Sequence, residues 1–388
     1  MKIAIVYDAI YPDVLGGGEK RNWEVARRLA VQGHEVYLLG MQSWVGASIV
    51  CREKVVCVGV CPAKVLFTKS GNRSFFQPLY FAFHLYRYLR RNSFDLIDCS
   101  NFPYLPCLAV KYATFKIKTP LVITWYEVRG LRGWLNYTGL SGVIAFFFER
   151  LTARLTSFNI AISALTGRKV VQMKRVNHVR VIPCGVDCSV LKRGVSSARV
   201  DQILYVGRLV RHKRVDMILD ALRQIAPEWP SVSLTLVGTG YQQEALQSLA
   251  VEYGLREKVH FAGGLDEGAL IREFGRSRVF VLPSEQEGFG IVILEAMAAG
   301  VPVIALDAER SAALELITHG INGFLVKTVE EMVIALRQIL AEPDMACRIA
   351  KAGQETAQIY DWDTRVIPDL EAYYRQVLDE SALRGAIR

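Results

Sequence analysis

Apolar positions along the chain fall into two alternating rhythms. Residues 3–7 are an unbroken apolar run, the pattern of a strand covered on both faces. Residues 19–32 instead collect Trp23, Ala26, Leu29 and Ala30 on one helical side, Gly33 stops the pattern, and 35–39 is a second apolar run. Strand, helix and strand in that order predict a parallel pair with a crossover helix. Further runs at 96–99, 121–124, 158–162 and 180–182 extend a first sheet. The rhythm then restarts, with strands at 202–206, 233–237, 259–261, 279–282 and 302–305 and helices at 215–225, 242–252 and 291–299. Two such halves predict an α/β chain of two doubly wound, Rossmann-like domains. The joint is expected within 187–200, where Lys192-Arg193-Gly194 and Ser196-Ser197 interrupt the pattern. The expected division is 1–190, 191–362 and a terminal segment 363–388. There are no short repeats or low-complexity tracts.

Length and composition agree with that division. The 388 residues suit two domains, and a charged content of 22% against 51% hydrophobic argues for packed cores over disorder. Charge changes the picture more. Residues 1–190 hold 25 Lys and Arg against 11 Asp and Glu, or +14, whereas 191–388 hold 22 against 27, or −5. The first half is therefore expected to meet an anionic partner: a membrane surface, a phosphorylated acceptor or nucleic acid. The eight cysteines form no C-x-x-C pair and none has a histidine at metal spacing, so buried free thiols are expected. Cys184 and Cys188 alone make weak evidence for a metal. The N-terminal apolar run is too short for a signal peptide, and no stretch reaches the roughly 18 apolar residues of a membrane span. A cytoplasmic protein is expected, its basic half offering contact to the cytoplasmic face of a membrane.

The most informative stretch is PSEQEGFGIVILEAMAAG at 283–300. It reads as strand end, glycine-bearing polar loop and helix, at the carboxyl end of a parallel strand, where open α/β sheets bind ligands. Gly288 and Gly290 allow close backbone approach, and the helix N-terminus offers free N–H groups and a positive dipole end, suited to a diphosphate or sugar hydroxyls. Glu287 in the loop is placed to face a sugar and Glu295, inside the helix, to reach a ribose. The plainer alternative makes Glu287 a helix-terminal charge and Glu295 a solvated one, but the helix around Glu295 is nearly all apolar, so its carboxylate needs a partner. A second stretch, LYVGRLVRHKRVD at 204–216, also follows a strand. Cations aimed at a departing pyrophosphate lower the barrier to its loss. Arg208 suits bidentate phosphate contact and Lys213 a point charge. A merely solvated basic loop accounts for Arg211 and Arg214 and leaves Gly207-Arg208 unexplained.

Gly207-Arg208 with Lys213, followed by E-x7-E from Glu287 to Glu295, resembles the family-4 retaining glycosyltransferases of GT-B fold. VIPCGVD at 181–187 is similar to that family's domain-junction motif, with Cys184 where Asn is usual. LVGTG at 236–240 and VHFAG at 259–263, with Gly238 and Gly263, match strand ends around the nucleotide, and Gly16-Gly17-Gly18 resembles the glycine loop beside the donor phosphates. Trp362 opens a tail similar to the helix that crosses back to the first domain. The resemblance covers nearly the whole chain. It implies two Rossmann-like domains facing a cleft, and a UDP- or GDP-sugar donor held by Gly17, Gly18, Gly207, Arg208, Lys213, Gly238, Gly263, Glu287, Gly288, Phe289, Gly290 and Glu295. It also implies transfer of a hexose with retained anomeric configuration. In LVITWYE at 121–127 the chain departs from the family: Tyr126 stands where a His is common. Tyrosine donates a hydrogen bond but titrates near pH 10. Either Tyr126 or Glu127 positions the sugar, or activity is altered.

Other signals are discounted. Asp361-Trp-Asp363 spells D-x-D but precedes an expected helix at 364–378, where aspartates cap, so no metal and no cofactor is expected. The glycines at 16–18 do not spell G-x-G-x-x-G. His212 is read as a surface loop residue. Two segments, 75–91 and 134–154, combine aromatics with arginines and read as cationic helices able to lie in a membrane interface or, equally, as core aromatics with solvated arginines. The acceptor is accordingly expected to be a glycan, lipid-linked or membrane-associated. Nucleic acid is disfavoured, since no recognition motif is present. A catalytically silent sugar-nucleotide-binding protein and a sugar-nucleotide 2-epimerase of the same fold are the alternatives.

Overall fold

The computed structural model describes residues 1–64, 76–174, 179–193 and 199–386. Phe75 of the aromatic segment and Gly194, Ser196 and Ser197 of the expected joint lie outside the described residues. The chain divides into two compact units, one formed by Met1–Cys184 with Asp363–Arg388, the other by Gly185–Trp362. The division thus falls at Cys184, ahead of the expected 190. Part of the expected joint is a short helix of the second unit.

The first unit is built from β1 (Lys2–Val6), α1 (Gly17–Val31), β2 (Glu35–Gln42), β3 (Ile49–Arg52), β4 (Val55–Pro62), α2 (Phe76–Leu89), β5 (Leu96–Ser100), α3 (Tyr104–Thr114), β6 (Leu121–Trp125), α4 (Gly130–Thr138), α5 (Gly142–Thr152), β7 (Phe158–Ala161), α6 (Ala164–Lys174) and β8 (Arg180–Val181). Among the described residues its sheet has eight strands in the order β3-β4-β2-β1-β5-β6-β7-β8. Every pairing is parallel except β3 with β4. β5 and β6 are buried at every position, as a sheet covered on both faces demands. Strand order reverses at β1, which pairs with β2 on one side and β5 on the other, Ile3 lying opposite both Val36 and Leu96.

The β3–β4 hairpin has no counterpart in the sequence pattern. Its two-residue turn is Glu53-Lys54, with φ of 46° and 68°. Such turns are usually announced by Asn-Gly or Asp-Gly, and here they are not. The segment at 134–154 is also not one helix. It breaks between α4 and α5 at Gly139, whose φ is 64°. A Cβ on Gly142 would lie 2.4 Å from the carbonyl oxygen of Trp134, so only glycine allows the two helices this approach.

The second unit contains α7 (Cys188–Arg193), β9 (Val200–Val206), α8 (Val215–Ile225), β10 (Ser233–Val237), α9 (Gln243–Glu252), β11 (Val259–Gly263), α10 (Glu267–Arg276), β12 (Ser277–Leu282), β13 (Gln286–Glu287), α11 (Ile291–Ala298), β14 (Val303–Leu306), β15 (Arg310–Ser311), β16 (Phe324–Val326), α12 (Val329–Ala341) and α13 (Pro343–Ile359). Among the described residues its main sheet is six-stranded and parallel, β11-β10-β9-β12-β14-β16. Order reverses at β9, which pairs with β10 and β12. α8 turns Met217, Ile218, Leu219, Leu222 and Ile225 into the core, each worth about 1.5–3 kcal/mol when fully buried.

The terminal segment differs from the expected helix at 364–378. A π turn over Trp362–Val366 precedes α14 (Ile367–Ala386). Asp363 accepts a hydrogen bond from Arg28 Nε at 2.7 Å, tethering the segment to α1. Tyr374 of α14 is fully buried and donates to Asp98 Oδ2 at 2.6 Å. Among the described residues no helix is long and apolar enough to cross a membrane.

Candidate active site

In the second unit the predicted residues converge at the carboxyl ends of β9 and β12, beside the strand-order reversal where doubly wound sheets bind ligands. Three glycines set the backbone. Gly207 N–H donates to Val237 O at 2.9 Å and Gly238 N–H to Gly263 O at 2.7 Å. Gly238 has φ 125°, and a Cβ there would stand 2.1 Å from Gly207 O. The strand ends therefore pack backbone on backbone, and a side chain at 238 has no room.

Arg208 follows, exposed, in the loop after β9. Beneath it lies Tyr205, fully buried, whose hydroxyl donates to Arg208 O at 2.9 Å. That hydroxyl lies 2.8 Å from where a Cβ on Gly207 would be, which explains the glycine. Burial first, and then the charge of Glu287, push the Tyr205 phenol up. The 3-10 turn Arg211–Lys213 is tied to the opposite loop by Glu285 N–H, which donates to His212 O at 2.9 Å. Across this tie Lys213 Nζ donates to Glu287 Oε1, both side chains being 13% exposed. Two residues 74 apart in sequence thus form one partly desolvated ion pair. Glu287 is held from a second side through β13, which pairs with β15 so that Glu287 lies opposite Ser311.

Gly290 takes a left-handed conformation, φ 94° and ψ 50°, and starts α11. Glu295 is 6% exposed in that helix, among Ile293, Leu294, Ala296 and Met297. Its burial excludes the solvated alternative. The Phe289 ring is buried edge-on against Tyr360, with centroids 5.7 Å apart, so position 289 brings only its backbone to the loop. Ser284 was not foreseen: its hydroxyl is buried with no hydrogen-bond partner among the described residues.

In the first unit the predicted residues again sit at strand ends. Tyr7 follows β1 and Tyr126 follows β6, their rings stacked at 6.1 Å and 25°. A Cβ on Gly18 would stand 3.4 Å from Tyr7 Oη and 3.5 Å from Tyr126 Cε1. The Tyr126 hydroxyl donates to Asn22 Oδ1 at 2.7 Å, Asn22 Nδ2 donates to Ser100 Oγ at 3.2 Å, and Tyr126 N–H donates to Asn101 Oδ1 at 3.0 Å. Burial pushes the Tyr126 phenol up to about 12. The buried Arg21 guanidinium lies over this ring at 5.8 Å. Tyr126 is thus a neutral residue with its proton committed inside the unit, unlike an imidazole. Glu127 Oε1 accepts from Arg129 Nε at 2.7 Å. The loop bearing it is pinned by Glu149, a buried carboxylate accepting from the backbone N–H of Arg129 and of Gly130, each at 3.0 Å, and from Tyr104 Oη at 2.8 Å. Burial holds the Glu149 carboxyl above its ordinary range. The sequence shows Glu149 only as the end of an apolar run. Its role needs α5 folded against this loop.

Residues 193–356 match the family model of Glycosyl transferases group 1, and residues 15–190 that of Glycosyltransferase Family 4. The phosphatidyl-myo-inositol mannosyltransferase of Mycobacterium leprae is 28% identical over 359 residues, 90% of either chain. In other matches the chain spans about half the relative's length, 44% and 48% in two of them. Among solved structures, sucrose-phosphate synthase from Thermosynechococcus elongatus has a TM-score of 0.82 at 20% identity, covering 97% of this chain and 99% of that one. HepE from Anabaena, in complex with UDP, has a TM-score of 0.73 at 21% identity, covering 97% and 100%. Two family models that together take in most of the chain, with a fold shared by these structures, place the protein in the family 4, group 1 glycosyltransferases of GT-B fold.

Proposed function

We propose that the protein is a retaining glycosyltransferase that moves a hexose from a UDP- or GDP-sugar to a glycan or lipid-linked acceptor, without a metal ion. The observation that carries this reading is the Lys213–Glu287 pair beside Arg208 at adjoining strand ends. An ammonium has three donors, so Lys213 can keep Glu287 and hold a phosphate oxygen at once. With Arg208 it neutralises the charge that grows on the diphosphate as the glycosidic bond breaks, the role a metal plays elsewhere. Glu287, steadied by Lys213, accepts from sugar hydroxyls, and Glu295 reads the ribose. In the transfer the acceptor oxygen bonds to the anomeric carbon on the face the diphosphate leaves, the C1–O bond to phosphate breaks, and the acceptor's proton passes to the leaving phosphate. HepE, with UDP bound, supports a nucleotide donor, and the named activity of the Mycobacterium leprae relative supports a lipid-linked acceptor. The first unit's positive charge supports peripheral contact with the cytoplasmic face of an anionic membrane.

A thermal-shift series with UDP-, GDP- and ADP-sugars and the free nucleotides tests the donor. The matching sugar nucleotide should stabilise most, and Glu287→Ala should weaken the response to it more than the response to the free nucleotide. Equal losses would remove Glu287 from the sugar site, and NMR of the product's anomeric proton decides retention. One observation favours a second reading, a silent sugar-nucleotide-binding protein: the Tyr126 hydroxyl is committed to Asn22. Slow donor hydrolysis without acceptor separates the enzyme from the binder, and analysis of the product sugar separates the transferase from the epimerase.

A further inference from the structure

The helices on one face of the first unit's sheet carry two apolar stripes that no described residue of that unit covers. α2 packs on α3, and α3 on α5, so the three lie in one layer. α2 buries Phe81, Leu85 and Leu89 toward the sheet yet leaves Phe76, Leu79 and Phe83 at 84%, 59% and 56% exposure. The turn before α5 and its outward side leave Leu140, Ile144 and Phe147 at 88%, 59% and 62%. Leucine and phenylalanine at such exposure, recurring at helical spacing on neighbouring helices, mark an interaction surface rather than scattered surface residues.

Charge decides what the surface fits. Arg87 and Arg150, near the carboxyl ends of α2 and α5, and Arg90, Arg91, Lys116 and Lys118, just past α2 and α3, are exposed. Arg87 lies over the Phe83 ring at 5.7 Å and Arg150 over the Phe146 ring at 5.2 Å, so cations and aromatics share one surface. α2, α3, α4 and α5 contain a single acidic residue, Glu149, and it is fully buried. Exposed apolar side chains among cations, with no outward acid on the four helices themselves, match the boundary between acyl chains and anionic headgroups.

We infer that this face docks on an anionic lipid bilayer, with the Leu140 turn and the outward sides of α2 and α5 entering the headgroup boundary and the α2, α3 and α5 cations engaging lipid phosphates. The inference rests on the proposed membrane contact and assigns it a surface and a mode, insertion as well as attraction. It is tested by flotation of the full chain with vesicles of pure phosphatidylcholine and of 7:3 phosphatidylcholine to phosphatidylglycerol. The wild type should float with the anionic vesicles. Ile144→Glu with Phe147→Glu, and separately Leu79→Glu with Phe83→Glu, should each weaken that binding about tenfold or more. Their thermal response to nucleotide sugar should stay at the wild-type value, showing that the fold is kept. Wild-type affinity in both variants, with the wild type itself bound, would overturn the assigned surface and leave membrane contact standing through another face. A wild type that ignores anionic vesicles at low salt overturns both. A dimer by sedimentation that Phe147→Glu dissociates, without vesicle binding, would assign the face to a second copy instead.

Discussion

Two side chains show how far residue type alone decides chemistry. Lys213 and Glu287 have the types a donor site needs, but their pairing at 13% exposure arises only because the loops after β9 and β12 are tied by the His212–Glu285 backbone bond. Tyr126 shows the reverse. Its type suggests a donor facing the substrate, yet its proton goes to Asn22. Its phenol, pushed up to about 12, stays neutral across the working range. A folded value above the ordinary 10 means that its contribution to stability is complete below pH 10 and is lost as pH rises through 12. Tyr126→Phe should therefore leave the shape of the pH–rate profile between pH 6 and about 9.5 unchanged while lowering stability by about 1 kcal/mol through the broken bond to Asn22. A new inflection in that range, or its disappearance, would show that Tyr126 titrates during turnover.

Among the elements, those that bind are the ends of strands, and glycines set how closely those ends approach. Gly238 is the sharpest case, with a left-handed φ and 2.1 Å between its would-be Cβ and Gly207 O. Gly238→Ala should cost about 3 kcal/mol, from the overpacked contact and the strained backbone, and should displace Arg208. Urea denaturation should show a lower midpoint at unchanged slope, and the thermal shift with nucleotide sugar should shrink. A variant as stable as the wild type would mean that the strand ends can part. Most of the parallel strands, α1, α8 and α11 were legible because burial on both faces and helical spacing leave plain marks, whereas the parallel strands β4 and β16 were missed. The β3–β4 hairpin was not, because Glu53-Lys54 accepts positive φ without the usual turn residues. The break between α4 and α5 was hidden because Gly139 and Gly142 sit inside an otherwise continuous aromatic pattern.

For the whole molecule, charge and apolar surface are unevenly placed. The first 190 residues carry +14, and on one face cations lie beside aromatics exposed among the described residues. Binding driven by these cations should weaken with salt, since screening at 0.1 M reaches about 10 Å, while inserted side chains resist it. Raising salt from about 0.05 to 0.5 M should reduce vesicle binding without abolishing it. Complete loss would mean attraction without insertion, and no loss would mean that the cations do not contribute.

The sequence by itself determined the α/β class, the restart of the pattern near residue 200 and the presence of Arg208, Lys213, Glu287 and Glu295 at strand ends, because periodicity and motif spacing are local properties. Only the tertiary structure decided which of those side chains meet, that Tyr205 underlies the Arg208 loop, that Glu149 pins the loop of Glu127, and that Asp363 and Tyr374 return to the first unit through Arg28 and Asp98. The physical reason is that contacts between residues tens to hundreds of positions apart depend on how strands order and pack, and burial chooses among the partners a sequence leaves open.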